Sequence, residues 1–247
     1  MRLELENIKI KLFADGANLT EIEALYSDPR IAGFTTNPTL MRKAGVRDYC
    51  NFARKVLEIV PDRPVSFEVF ADEFEEMEAQ ARIIASWGKN INVKVPVTNT
   101  KGVSLARIIR SLSDDGIALN VTAIMTVDQV RDVAAALNPD VPAIVSVFAG
   151  RIADTGVDPV PHMIACRGCL EARPKAELLW ASPRELLNVF HAQEAGCHII
   201  TATPDILAKL ALLGKDLAQY SLETVRMFHR DAAESGFSIA PAQQLAV

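Results

Sequence analysis

Eight short apolar or β-branched runs recur along the chain, and most are followed by a longer stretch of helical periodicity. The runs fall at 9–14 (IKLFAD), 31–35 (IAGFT), 65–70 (VSFEVF), 91–95 (INVKV), 117–122 (IALNVT), 143–148 (AIVSVF), 178–182 (LLWAS) and 198–201 (HIIT). Parallel strands can be joined only by crossovers of a dozen or more residues, usually helices, so this alternation argues for a parallel sheet. Amphipathic spacers at 73–87, 103–112, 126–137 and 183–195 supply such crossovers, and a further helix is expected at 216–234. Eight strand-then-helix units predict an α/β fold, a closed (β/α)8 TIM barrel. A doubly wound open sheet is the competing arrangement, but no G-x-G-x-x-G follows the first run. Breaks such as Asp28-Pro29, Asn138-Pro139 and Asp158-Pro159 read as loops. The whole of 1–247 is therefore expected to be one barrel domain, with a C-terminal helix and an aperiodic tail from about 216 onward.

Charge and composition remove several function classes. The net charge is −5, with no long Lys/Arg cluster to offset it, which argues against a nucleic-acid partner. No apolar run approaches the roughly 18 residues of a membrane span. The start, MRLELENIKI, lacks the apolar core of a signal peptide, so a cytoplasmic protein without a membrane partner is expected. Four cysteines are too few for a disulfide scaffold. Cys166 and Cys169 have C-x-x-C spacing, yet neither a second such pair nor an H-x₃₋₅-H pair completes a zinc site, so no metal is expected.

Polar residues within the runs share a parity. Asn92 and Lys94 oppose Ile91, Val93 and Val95; Asn120 and Thr122 oppose Leu119 and Val121; Ser66, Glu68 and Phe70 oppose Val65, Phe67 and Val69. Ser146 and Phe148 oppose Val145 and Val147, and the first run reaches Asp15. In a barrel the apolar parity packs on the helices and the polar one points inward; solvated faces of an antiparallel sheet are the alternative. Charges inside a barrel are costly, so a gathered Asp, Glu and Lys reads as a reaction site. Burial weakens the preference of Lys94 for its charged form and frees an amine to attack a ketone as a Schiff-base nucleophile. Asp15 and Glu68 are the groups available to move protons.

These residues also form familiar motifs. GFTTNPT (Gly33 to Thr39), NVKVP (Asn92 to Pro96), NVT (Asn120 to Thr122), FAGRI (Phe148 to Ile152) and WASPR (Trp180 to Arg184) resemble, in order, motifs of the transaldolase family. The resemblance spans about Leu12 to Leu210 and includes Ala195-Gly196-Cys197. It implies a class I Schiff-base enzyme on a (β/α)8 barrel, without metal or organic cofactor, and sugar phosphates as the substrate partners. The implied reaction moves a dihydroxyacetone unit from fructose 6-phosphate or sedoheptulose 7-phosphate to an aldose phosphate. By position, Lys94 is the Schiff-base lysine, Asp15 the acid/base at the donor's C4 hydroxyl, and Glu68 the carboxylate acting with Thr122 on a water. Thr35, Asn37, Asn120 and Ser146 match residues that hold the dihydroxyacetone hydroxyls. Arg151, Ser182 and Arg184 match the phosphate grip, a role suited to forked guanidinium donors.

The related fructose-6-phosphate aldolases release free dihydroxyacetone and usually carry glutamine and tyrosine where this chain has Glu68 and Phe148. Both positions favour transfer. A catalytically idle sugar-phosphate-binding paralogue is the third reading, although such a chain would be expected to have lost Lys94, Asp15 or Glu68. Departures from the family pattern are Gly16-Ala17-Asn18 after Asp15, Pro183 between Ser182 and Arg184, and the stretch 153–156 after Arg151. Each of these residues also has an ordinary use: Asn37 and Pro38 open a helix, Trp180 and Phe148 fill a core, and arginines are commonly exposed. The apolar stripe of the 216–234 helix (Leu217, Tyr220, Val225, Phe228) would cover either the barrel or a neighbouring subunit; the family includes dimers and larger rings, and a homo-oligomer is expected.

Overall fold

Eight parallel strands pair in chain order, and the first closes on the last. They are β1 (Lys11–Asp15), β2 (Ile31–Thr35), β3 (Val65–Glu68), β4 (Ile91–Pro96), β5 (Leu119–Ile124), β6 (Ala143–Val147), β7 (Ala176–Trp180) and β8 (Ile199–Ala202). Because β1 pairs with both β2 and β8, the sheet is a closed barrel, as the eight-fold alternation predicts. The computed structural model describes residues 5–237, so the expected tail beyond 237 lies outside the described residues. The chain divides into two compact units, Ile8–Leu210 and a smaller one drawn from Met1–Asn7 and Ala211–Val247.

Within Ile8–Leu210, ten helices follow the strands: α1 (Leu19–Tyr26), α2 (Pro38–Lys43), α3 (Tyr49–Ile59), α4 (Phe74–Ala85), α5 (Ala106–Asp114), α6 (Val127–Ala136), α7 (Ala149–Asp154), α8 (Pro159–Cys169), α9 (Leu187–Glu194) and α10 (Pro204–Ala208). Their starts follow local chemistry. Asn18, Asn37, Asp48 and Asp158 cap free N–H groups, and Thr126 and Gln129 form a reciprocal capping box at α6. Their inner faces repeat at helical spacing: Met77, Ala81 and Ile84 on α4, Ile108, Ile109 and Leu112 on α5, Val130, Val133 and Ala134 on α6. These are buried, as are the outward-facing residues of the strands, Val65, Phe67, Val93, Val95, Val121, Val145 and Val147. Each such apolar side chain contributes about 1.5–3 kcal/mol on burial.

The barrel interior holds a plug. Phe13, Ile144, Leu179, Ala181 and Ile199 form a buried apolar cluster. Gly33 makes room for it, since a Cβ there would fall 2.5 Å from the Phe13 ring. Above the plug, at the C-terminal ends of the strands, opens a cavity of about 550 Å³. At the other end a separate depression is lined by Lys11, Phe13, Asn92 and Glu177, and no residue lines both.

Several sequence-based boundaries shift. The third strand stops at Glu68, and Phe70 lies beyond it, 52% exposed rather than inward. The seventh strand runs from Ala176 to Trp180 and leaves Ser182 in the following turn, with φ of 60°. The helix expected over 183–195 begins only at Leu187. The fifth strand extends to Ile124 because its pairing with β6 shifts register between Val121 and Ile124, where Ala123 takes a φ of 62°.

In the smaller unit, the C-terminal helix α11 (Leu217–Glu234) is capped by Asp216 and held in its first turns by a Lys215–Glu223 ion pair. Its apolar residues are exposed: Leu217 at 80%, Val225 at 59% and Phe228 at 63%.

Candidate active site

The twelve site residues expected from sequence all line the 550 Å³ cavity: Asp15, Thr35, Asn37, Glu68, Lys94, Asn120, Thr122, Ser146, Phe148, Arg151, Ser182 and Arg184. Strand register brings them together. Glu68 lies beside Lys94 across the β3–β4 pair, and Lys94 beside Asn120 across β4–β5. Parity then turns all three side chains to the interior.

Lys94 is 9% exposed, and Nζ donates to the Thr36 carbonyl at 2.6 Å and to Glu68 Oε1 at 3.0 Å. The other carboxylate oxygen of Glu68, itself 5% exposed, accepts from the Thr36 hydroxyl at 2.9 Å. Burial of charge is tolerated here because each group is paired and further hydrogen-bonded. The amine therefore stands next to the group best placed to exchange protons with it. The sequence marks Glu68 as a group able to move protons, and the structure adds its direct contact with Nζ.

Asp15 ends β1 on the cavity wall. Its two oxygens accept from the Thr35 hydroxyl at 2.9 Å and the Asn37 amide at 3.0 Å. Asn37 uses its own oxygen to cap α2 through Leu40 N–H at 2.9 Å, so one side chain serves both helix and site. The Thr35 hydroxyl also meets Thr201 at 2.6 Å. Burial raises the Asp15 carboxyl above the ordinary carboxylate range; the Lys94 charge and the bonds from Thr35 and Asn37 pull against this, and nearby Glu68 adds to it. Deeper in the barrel Asn120 donates to Ser66 at 2.9 Å and accepts from the Ser146 hydroxyl at 2.6 Å. The Thr122 hydroxyl is buried without a hydrogen-bond partner, on a residue that lines the cavity.

At the rim, helix α7 after β6 and the turn after β7 carry the cations, Arg151 and Arg184. Phe148 precedes α7, and the Arg151 guanidinium lies 5.6 Å from its ring centroid. Ser182 and Arg184 come from the turn after β7. Gly150 permits α7 and the turn after β7 to meet: a Cβ on it would fall 1.6 Å from the Ser182 carbonyl oxygen. Arg184 is paired to Asp154, a residue the sequence reading did not single out as a site group. Thr36 and Thr201 were also missed. Thr36 acts on Lys94 through its carbonyl, which no residue type advertises, and Thr201 is an unremarked hydroxyl at a strand end.

Cys166 and Cys197 are buried outside the cavity. Burial pushes the Cys166 and Cys197 thiols up to about 12, which leaves them unreactive. Among the described residues no cluster of three or more His, Cys, Asp or Glu side chains is placed to hold a metal ion. No helix among them is long and apolar enough to cross a membrane. Trp180 is fully buried, in the packing role weighed for it.

Comparison with known proteins places the chain in a family. The chain is 36% identical over 206 residues to a probable transaldolase of Streptococcus equi subsp. zooepidemicus (strain MGCS10565), covering 81% of this chain and 90% of that protein. It is 34% identical over 232 residues to a probable transaldolase of Brucella anthropi, covering 94% of this chain and all (100%) of that one. Among solved structures, 2,3-dimethylmalate lyase, a PEP mutase/isocitrate lyase superfamily member, superposes with a TM-score of 0.55 at 13% identity, covering 98% of this chain and 89% of that one. A mandelate oxidase mutant gives 0.55 at 15% identity, covering 89% and 73%. At those identities the likeness is one of fold. The model of the family described as Transaldolase/Fructose-6-phosphate aldolase matches residues 12–239, nearly the whole sequence, and the chain belongs to that family.

Proposed function

We propose that this protein is a transaldolase. It transfers a dihydroxyacetone unit from a ketose phosphate, fructose 6-phosphate or sedoheptulose 7-phosphate, to an aldose phosphate through a Schiff base on Lys94. It does so without metal or organic cofactor, as a cytoplasmic homo-oligomer. The observation that carries the reading is the Lys94 amine inside the barrel, 3.0 Å from the Glu68 carboxylate, in one cavity with Asp15 and two arginines.

In this scheme Lys94 hands a proton to Glu68 and adds to the C2 carbonyl of the donor. Glu68 returns the proton to the C2 hydroxyl, which leaves as water and produces the iminium. The unpartnered Thr122 hydroxyl lines the same cavity and can hold that water. Asp15 then takes the proton of the C4 hydroxyl. The C3–C4 bond breaks, its electron pair moves into the iminium, and C4 departs as an aldehyde. The remaining enamine attacks the aldehyde carbon of the acceptor while Asp15 returns its proton to the new hydroxyl. Addition of water to the iminium frees the product and Lys94. An Asp15 whose affinity for protons is raised by burial suits this two-way traffic near neutral pH. Asn120 and Ser146 bond one another and can hold the hydroxyls of the retained fragment. Arg151, Ser182 and Arg184 stand at the rim, within reach of a terminal phosphate.

Borohydride reduction in the presence of fructose 6-phosphate is expected to fix a three-carbon adduct on Lys94, seen by peptide mass spectrometry, and Lys94→Met is expected to abolish it. An intact protein mass under those conditions would overturn the reading. Release of free dihydroxyacetone without transfer to glyceraldehyde 3-phosphate would instead assign the aldolase activity of the family.

A further inference from the structure

Asp154 is the last residue of α7, where an acid meets the negative end of the helix dipole. It lies three residues beyond Arg151, a spacing at which helix side chains meet, yet its ion pair is with Arg184 on the loop after β7. The contact is side-on. Arg184 Nε donates to one carboxylate oxygen at 2.9 Å and an η nitrogen donates to the other. Arg184 lines the cavity and Asp154 does not. The carboxylate therefore stands behind the guanidinium and leaves the second η nitrogen free for an incoming anion. The Arg184 backbone is tied as well, its N–H donating to Asn188 Oδ1 at 2.7 Å. Two guanidiniums gathered at one rim repel each other, and the Asp154 charge offsets that repulsion before any anion arrives. A pair this exposed, 46% and 52%, adds little to stability.

We propose that Asp154 is a positioning residue for the phosphate-bearing end of the substrate: it fixes the Arg184 fork at the rim and makes Arg151 and Arg184 compatible neighbours. This rests on the sugar-phosphate reading of the site.

The test compares wild type with Asp154→Asn and Asp154→Glu, using fructose 6-phosphate and unphosphorylated fructose as donors against the same acceptor, D-glyceraldehyde. Inorganic phosphate serves as a competitive inhibitor. Asp154→Asn is expected to raise KM for fructose 6-phosphate and Ki for phosphate by about tenfold, as for other lost charge-orienting contacts, with kcat changed less than about twofold. The ratio of kcat/KM between the two donors should fall accordingly, and Asp154→Glu should recover part of it. Equal losses with both donors would mean a merely structural role and overturn the proposal. Unchanged or tighter phosphate binding in Asp154→Asn would overturn it too. If wild type acts on neither donor, the transaldolase reading fails, and calorimetric binding of inorganic phosphate to the same proteins still decides the role of Asp154: weakened in Asp154→Asn it stands, unchanged it falls.

Discussion

At the scale of single residues, the site opposes stability, and Asp15 shows how. Its folded-state carboxyl is raised by burial, so ionisation costs more in the folded chain than in the unfolded one. The stability associated with the protonated form is fully present below the ordinary carboxylate range. It is lost as pH rises through the raised value. Asp15→Asn keeps the shape without the charge, and its amide can donate to Thr35 while Thr35 donates to Thr201. This variant is expected to lose about 10²–10⁴ of its transfer rate, the range for a missing general base. It should also melt a few degrees higher at pH 8, with the gap closing on acidification, as followed by calorimetry. A variant no more stable than wild type at pH 8 would contradict the burial argument. Most of the cavity was legible in the sequence because its chemistry sits in side chains of one strand parity: Asn92-Val-Lys-Val-Pro alone places an amine inside. The partners of that amine were less legible, because Thr36 holds Lys94 with a peptide oxygen.

At the scale of elements, the rim depends on helix α7 and the turn after β7, which meet at Gly150 and Ser182. Gly150→Ala would drive a Cβ into a backbone oxygen 1.6 Å away, so the loop after β7 must move. Loss of about 2 kcal/mol or more in urea unfolding is expected, together with weaker phosphate binding. Ser182 occupies left-handed backbone at a φ of 60°, which costs a non-glycine residue roughly 1–2 kcal/mol. Ser182→Gly should therefore raise unfolding stability by up to about 1 kcal/mol while raising KM for sugar phosphates, because it also removes a hydroxyl from the cavity. A Ser182→Gly protein less stable than wild type would sink the strain argument. These contacts explain why strand ends were read imperfectly from sequence. The run LLWAS looks like strand to its last residue. Ser182 instead takes left-handed backbone beside Gly150 of α7, a long-range contact no local pattern records. The register shift near Ala123 lies in the pairing of two strands and is equally hidden from local pattern, whereas the eight-fold alternation itself is visible because each helix carries its buried face at helical spacing.

At the scale of the whole molecule, the apolar surface left by α11 bears on assembly. Leu217, Val225 and Phe228 are exposed on one helix, an apolar stripe of the kind that can mark an interaction surface. Self-association is expected by size-exclusion chromatography with light scattering, and Val225→Glu with Phe228→Glu together should shift the population to smaller species. A wild-type monomer at micromolar concentration would end that expectation. Inside the barrel the consequence is of another kind. The cluster around Phe13 fills the lower part of the barrel, and the cavity above it opens at the C-terminal ends of the strands. In the proposed transfer, departing and arriving sugars would share that opening, and the first aldose would have to vacate before the second is admitted. Between those two visits the carried three-carbon fragment would stand open to water alone. How briefly the acceptor's place is vacant would then decide whether the fragment is delivered or spilled.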